Sequence, residues 1–161
     1  DNAEAEQIVR QSVLNDGPMY IRIGRHNRGI FDNNTIEIGK ASVLEKGEDI
    51  AVISTSNMLP DAHAYCQQLK TQGRKPWLIS MHTIKPLDTA LLKELINAHT
   101  EIHTLEEHWI TGGLGSAVAE VIAESGVGIK FKRLGVPDRF AHYVGSQTHL
   151  KKQFSIYFGD N

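Results

Sequence analysis

The chain has 161 residues, 40% of them hydrophobic, and a formal net charge of −2, which is typical of one globular domain. This charge excludes the strong attraction to nucleic acids or anionic membranes that basic proteins show. No apolar run approaches the roughly 20 residues of a membrane-spanning helix. The single cysteine, Cys66, excludes an internal disulfide and predicts a reducing, cytoplasmic location. Cys66 lies in a predicted helix, where a buried packing role is favoured over a reactive one.

The first 34 residues predict a short lead-in. Apolar residues recur at helical spacing over residues 3–14, and Asn-Asp-Gly-Pro follows them. Residues 19–23 have the composition of a strand that runs into a basic loop. One helix and one strand cannot form a core of their own. We therefore expect the lead-in to be the end of a preceding domain, and the chain to be a piece of a longer protein.

From about residue 35 the sequence alternates predicted strands and helices. Strands are predicted at residues 39–44, 50–54, 76–80, 102–105 and 129–134. Ser56 or Asn57 is predicted to cap the first helix of the body, Pro60 to lie in its first turn and Gly73 to end it. Further helices are predicted at residues 87–98, from the glycines near residue 115 to Gly126, and at 148–154. This alternation predicts a three-layer α/β/α sandwich with a mostly parallel sheet.

A glycine-rich turn links the fourth of these strands to the next helix. Its residues are Gly112, Gly113, Gly115 and Ser116, and Ser116 or a glycine is predicted near the helix N-cap. Glycine lets the backbone pass close to a neighbouring group, and free amides at a helix start attract anions. Close packing of helix on strand, contact with a partner subunit and binding of a small anion all remain open. A dinucleotide fingerprint is disfavoured, because Val118 stands where a third Gly or Ala is required.

The eight histidines do not predict a metal site. His99 and His103 are four residues apart, but the predicted helix ends between them. Glu107 and His108 are adjacent, so an extended strand points them to opposite sides. His82 follows a strand at a position typical of ligand contacts in α/β sheets, without a supporting neighbour. No His-Glu-x-x-His motif and no Gly-x-Ser-x-Gly nucleophile elbow is present.

Several ordered segments resemble the C-terminal domain of transketolase-type thiamine-diphosphate enzymes. These segments are residues 83–88 (Thr-Ile-Lys-Pro-Leu-Asp), 106–108 (Glu-Glu-His), 112–120 (Gly-Gly-Leu-Gly-Ser-Ala-Val-Ala-Glu) and 136–140 (Val-Pro-Asp-Arg-Phe). Residues 17–22 (Gly-Pro-Met-Tyr-Ile-Arg), followed by Arg25, resemble the end of the pyrimidine-binding domain. The resemblance covers residues 1–154 and is closest to transketolases encoded as separate N- and C-terminal subunits. Deoxyxylulose-phosphate synthase and the β subunits of 2-oxoacid dehydrogenases share this domain.

The resemblance implies an enzyme that moves a two-carbon ketol unit between sugar phosphates, with thiamine diphosphate and a divalent cation as cofactors. It implies that residues 1–34 are the remnant of the pyrimidine-binding domain and a linker, and that residues 35–161 are the C-terminal-type domain, with an antiparallel edge strand near 39–44. The implied partners are N-terminal thiamine-diphosphate-binding domains or a subunit, within a homodimer. The family's cofactor anchors and catalytic groups precede this segment. We therefore expect the chain alone to be inactive, cofactor-free and without catalytic residues, serving mainly assembly.

Arg25 is the candidate for substrate binding, because the resemblance places it where the family has an arginine that grips the sugar phosphate. A guanidinium offers a rigid fork of donors to phosphate oxygens. Arg22 and Arg28 are weaker candidates, and the residues alone would favour a solvated basic loop. A hypothesis of another class also remains open, namely an independent anion- or nucleotide-sensing module that uses the glycine-rich turn.

Overall fold

A computed structural model describes residues 1–24, 35–98 and 101–158 of the chain. The elements in chain order are α1 (Asn2–Ser12), β1 (Ser42–Glu45), β2 (Ile50–Ser54), a 3₁₀ turn (Ser56–Met58), α2 (Leu59–Thr71), β3 (Pro76–Ser80), α3 (Thr89–Ala98), β4 (Glu101–Trp109), α4 (Leu114–Ser125), β5 (Lys130–Val136) and α5 (Gln147–Gln153). They include every strand predicted for the body of the chain.

The five strands form one sheet in the order β1-β3-β2-β4-β5. β1 pairs with β3 in the antiparallel direction, and the other neighbours are parallel. Val52 on the central strand lies opposite Leu78 on one side and His103 on the other. The predicted mostly parallel sheet with an antiparallel edge strand is confirmed.

Each face of the sheet carries its own hydrophobic core, because successive residues of a strand point to opposite sides. Ala51 and Ile53 pack with buried residues of α3 and α4. Ile50 and Val52 pack with α2 and with Ile156 of the C-terminal segment. All five residues of β2 are buried, as expected for a strand covered on both faces. The predicted three-layer α/β/α sandwich is therefore confirmed.

The start of α2 differs from the prediction. Ser56 and Asn57 lie in the 3₁₀ turn, and the N-cap residue is Met58, which makes no side-chain capping bond. The side-chain amide of Asn57 donates instead to Glu107 on β4, so it does not cap α2. Pro60 lies in the first turn as predicted. The helix ends just before Gly73, whose φ of +77° suits glycine.

Two other helix and strand boundaries differ from the predicted ones, and contacts in the structure explain both differences. α3 begins two residues later than predicted, because the Asp88 carboxylate accepts the Leu91 N–H at 3.1 Å and so caps the helix. The second Asp88 oxygen accepts the Ala41 N–H at 3.0 Å, which ties this cap to the residues before β1. β4 runs four residues beyond its predicted end, because Trp109 still pairs with Val136 on β5.

The predicted strand at residues 19–23 is wrong. Residues 18–24 have no regular secondary structure, and no described strand lies beside them to form a ladder. α1, in contrast, packs on the body. Its Glu4 accepts a hydrogen bond from the Ser80 hydroxyl at 3.0 Å, and Gln7 Oε1 accepts the Ile36 N–H at 2.9 Å. The division of the chain at residue 34 stays a prediction.

The remaining features of the fold are the exposed cations of β5 and the burial of the single cysteine. β5 forms one end of the sheet and exposes Lys130, Lys132 and Arg133. Cys66 on α2 is buried, as predicted, and burial raises the pKa of its thiol to about 12. Within the described ranges, no helix combines the length and apolar character needed to cross a bilayer.

Candidate functional site at the carboxyl end of the sheet

The carboxyl ends of β2 and β4 mark the point where the sheet order reverses. The chain continues from β2 to β3 on one side and then crosses to β4 on the other. In open α/β sheets, ligands bind in the crevice at such a switch point. The 3₁₀ turn after β2, the end of β4 and the glycine-rich turn all lie at this end of the sheet.

The glycine-rich turn holds the chain's own carboxylate. Leu114 and Gly115 donate their N–H groups to the two oxygens of Glu106, each at 2.8 Å. Ser116 accepts the Gly112 N–H at 2.9 Å, which closes the turn on itself. Gly113 is the N-cap of α4, in agreement with the prediction of a glycine near this position. The negative charge at the start of α4 is thus supplied from within the fold.

Burial dominates the electrostatics of Glu106. The residue is 1% exposed, and desolvation raises the pKa of its carboxyl above the ordinary value, although the two backbone N–H groups act in the opposite direction. His108 and Arg133 also favour the charged form, by smaller effects. The arrangement suits a structural link between β4 and α4.

The glycines make this link sterically possible. A Cβ at Gly113 would lie 1.7 Å from Glu106 Oε2, and a Cβ at Gly115 would lie 2.9 Å from Thr104 Oγ1. Gly112 has a φ of +82°, a backbone conformation that residues other than glycine rarely adopt. These contacts favour close helix–strand packing among the roles left open. Contact of Gly112, Gly113, Gly115 or Ser116 with an anion or a partner subunit stays a prediction.

Glu107 points to the other side of β4 and contacts three separate parts of the chain. Its Oε2 accepts from Asn57 Nδ2 at 3.2 Å and lies 3.8 Å from Arg22 Nη2. Its Oε1 accepts from Gln147 of α5. Neither the Glu-Glu-His segment nor the position of Glu107 beside His108 predicts these contacts. The sequence does contain one indication of such contacts. Two adjacent acids at the end of a buried strand face opposite sides of the sheet, so Glu107 needs partners on the face opposite Glu106.

The end of the lead-in lies on the same acid. Arg22 pairs with Glu107, and Gly24 packs against Asn57 so closely that a Cβ would lie 1.7 Å from Asn57 Oδ1. The predicted substrate residue, Arg25, lies outside the described residues, as does Arg28. The structure therefore brings the segment before Arg25 to the carboxyl end of the sheet, while the role of Arg25 stays a prediction.

The histidines considered for metal binding have other surroundings. His82 Nδ1 lies 2.9 Å from the Thr83 hydroxyl, and burial lowers the pKa of the imidazole. His103 lies between Tyr65 and Glu101, at 2.9 Å and 2.8 Å, and burial lowers its pKa as well. His99 lies outside the described residues. Among the residues that the structure describes, no three His, Cys, Asp or Glu side chains come together as a group able to hold a metal ion.

Comparison with known proteins identifies the family to which the chain is similar. The family model described as transketolase, C-terminal domain, matches residues 39–156. The chain is 35% identical over 160 residues to a putative transketolase C-terminal section of Methanocaldococcus jannaschii, covering 97% of this chain and 49% of that protein. It is 38% identical over 158 residues to 1-deoxy-D-xylulose-5-phosphate synthase of Halothermothrix orenii, covering 95% of this chain and 25% of that protein.

A solved structure gives the same result. A split gene transketolase, described as an inactive beta4 tetramer, superimposes with a TM-score of 0.90 at 31% identity, covering 98% of this chain and 52% of that one. The chain thus spans about half or less of these relatives. On the family match and these similarities, the chain belongs to the transketolase C-terminal domain family.

Proposed function

We propose that this chain is the C-terminal part of a thiamine-diphosphate-dependent enzyme that transfers a two-carbon ketol unit between sugar phosphates. Within that enzyme it serves assembly and contributes Arg25 to the substrate phosphate, and it does not catalyse the reaction alone. The observation that carries this proposal is the extent of the similarity. It covers 97% of the chain against a transketolase C-terminal section, so it includes the lead-in as well as the domain.

The chemistry of Arg25 suits the proposed contact. A sugar phosphate presents two negative charges and several acceptor oxygens, which a guanidinium binds in a bidentate manner. A charge-assisted hydrogen bond of this kind contributes about 1.5–3 kcal/mol. The described residues just before Arg25 lie on the carboxyl end of the sheet, where α/β proteins bind ligands.

Exposed apolar side chains support the assembly role. Tyr20 is 89% exposed, Phe140 84% and Val144 97%, and they lie on the lead-in and on the connection between β5 and α5. Phe140, Tyr143 and Val144 are all exposed on this one connection, and clustered exposed apolar residues mark surfaces that a partner covers. The proposed partners are an N-terminal thiamine-diphosphate-binding subunit or domain and a second copy of the assembled enzyme, in the cytoplasm.

The described residues do not fit the cofactor site itself. A thiamine diphosphate bound through a divalent cation needs oxygen ligands that converge on the metal, and the described part of the chain forms no such group of acidic side chains. We therefore assign thiamine diphosphate and its cation to the partner domains and route no step of the reaction through this chain.

The experiment is a reconstitution of the assembled enzyme from this chain and its thiamine-diphosphate-binding partner. Ketol transfer is followed with a ketose phosphate and an aldose phosphate. Arg25→Ala should raise the KM for phosphorylated sugars about tenfold, with a smaller effect on kcat. Arg28→Ala tests the weaker candidate from the same basic segment and should leave KM nearly unchanged. A KM that Arg25→Ala does not change would remove Arg25 from the site.

A second candidate is supported by the 38% identity to 1-deoxy-D-xylulose-5-phosphate synthase of Halothermothrix orenii. The same reconstituted enzyme distinguishes the two candidates by its product. Formation of 1-deoxy-D-xylulose 5-phosphate, without transfer between sugar phosphates, would replace the transketolase assignment. The sensor hypothesis is disfavoured, because the amides of Leu114 and Gly115 already bind Glu106. A rise in unfolding temperature with nucleotide, and none with the partner subunit, would revive it.

A further inference from the structure

Asn57 and Glu107 form a dock on the domain for the last described residues of the lead-in, Arg22 to Gly24. The two dock residues are joined by the 3.2 Å hydrogen bond from Asn57 Nδ2 to Glu107 Oε2. Glu107 faces Arg22 at 3.8 Å, and Asn57 lies against Gly24. We propose that Asn57 and Glu107 are positioning residues, which fix Arg22–Gly24 on the carboxyl end of the sheet and so determine where the chain leads into Arg25.

The dock is rigid because other buried groups hold both of its residues. Asn57 is 7% exposed, and its backbone carbonyl oxygen accepts from Lys151 Nζ at 3.3 Å. Lys151 is itself paired with the buried Asp61 at 2.8 Å. Gln147 of α5 donates to the second oxygen of Glu107. The dock is thus supported by α2, β4 and α5 together, and a position held by several packed elements is well defined.

Of the two contacts between the lead-in and the dock, the one between Gly24 and Asn57 restricts the position of the lead-in more tightly. The Arg22–Glu107 pair is long, and the Arg22 side chain is 48% exposed, so solvent weakens the attraction. Gly24, in contrast, has no room for a side chain, since a Cβ would lie 1.7 Å from Asn57 Oδ1 and 2.2 Å from Asn57 Nδ2. A substitution at Gly24 must displace either the Asn57 amide or Gly24 itself, and either movement disturbs the contact between the lead-in and the domain. Gly24→Ala is therefore the most direct way to disturb the dock.

The functional meaning of the dock rests on the proposed contact between Arg25 and the sugar phosphate. Arg25 is the residue after Gly24, so a displaced Gly24 shifts the point from which the guanidinium reaches the substrate. A misplacement of about 1 Å can cost on the order of a hundredfold in rate or binding. The dock would act on substrate binding through Arg25, without touching the substrate itself.

The test compares glycine variants of the assembled enzyme. Gly24→Ala should raise the KM for the phosphorylated substrate about tenfold, with kcat changed by less than about twofold. Gly128→Ala is the matched control, because nothing lies within 4 Å of its Cβ position and its φ is not positive. It should leave both constants unchanged. Adding Asn57→Ala to Gly24→Ala removes the clash and should recover part of the KM.

Hydrogen exchange of residues 17–24 in the same assembled enzyme provides an independent readout. Gly24→Ala and Glu107→Gln should both increase exchange there, whereas Glu120→Gln, at an exposed site on α4, should not. Exchange that stays at the wild-type level in Gly24→Ala, with folding verified by thermal unfolding, would overturn the dock. Increased exchange with an unchanged KM would overturn its positioning role, provided that Arg25→Ala raises KM. If Arg25→Ala leaves KM unchanged, the proposed role of Arg25 is refuted, and the positioning role of the dock is refuted with it. The exchange data would then still test whether Asn57 and Glu107 hold residues 22–24 in place.

Discussion

Removal of the Glu106 side chain is the strongest test of how the glycine-rich turn is held. Glu106→Ala leaves the N–H groups of Leu114 and Gly115 without their 2.8 Å acceptors, in a site where Glu106 was 1% exposed. Two hydrogen bonds to a charged acceptor contribute about 1.5–3 kcal/mol each. The raised pKa of Glu106 shows that burial of its charge offsets part of this gain. We therefore expect Glu106→Ala to lower the free energy of unfolding by about 3 kcal/mol.

Glu106→Gln separates the charge from the shape of the side chain. It removes the cost of burying the charge and keeps one acceptor oxygen, but its NH₂ group faces a backbone N–H. The expected loss is smaller, about 1–2 kcal/mol. Urea unfolding at neutral pH measures both variants, with Glu120→Gln as the control for loss of one exposed carboxylate, expected within about 0.5 kcal/mol of wild type. If Glu106→Ala were as stable as Glu120→Gln, the assignment of Glu106 as the link between β4 and α4 would be refuted.

Two further predictions concern titratable side chains. Burial lowers the pKa of His103 below its ordinary 6.5, so the folded chain binds this proton less readily than the unfolded chain, and stability should fall as the pH drops below about 6.5. The loss in the free energy of unfolding between about pH 7.5 and about pH 5.5 should be smaller in His103→Gln, and equal losses would contradict this account. Because burial raises the pKa of Cys66 to about 12, native protein should resist alkylation of this thiol, whereas urea-unfolded protein should react readily. Rapid alkylation under native conditions would show that α2 opens or that the thiol is accessible.

The fold of the body could be predicted because its local signals agree with one another. Four of the five residues of β2 are apolar, Gly126 ends α4 in a left-handed conformation, and Pro60 lies in the first turn of α2. Each signal depends on a few neighbouring residues, so the sequence alone is sufficient. The strand predicted at residues 19–23 failed for the opposite reason. A segment with the composition of a strand forms a strand only where a partner strand lies beside it. Whether a partner is there depends on the whole fold, which local sequence does not show.

The site was predicted less well, because its contacts join residues far apart in the chain. The sequence indicated a helix start that attracts an anion, but it could not show that Glu106 supplies the negative charge eight residues before Leu114. The partners of Glu107 are more distant still, since Asn57 is 50 residues away and Gln147 is 40. Two adjacent acids at a strand end predict only that they face opposite sides. Which groups meet them is decided by packing.

The charged residues of β5 have a consequence for how copies of this chain meet. The outer strand of a sheet offers unpaired N–H and C=O groups, which invite another strand to add to it and can start uncontrolled aggregation. Lys130, Lys132 and Arg133 are exposed on β5, at the end of the sheet opposite β1. Like charges facing each other across two such strands would repel, so β5 resists joining to another β5. Substituting Lys130 and Lys132 with threonine or valine should therefore favour precipitation before it affects the fold.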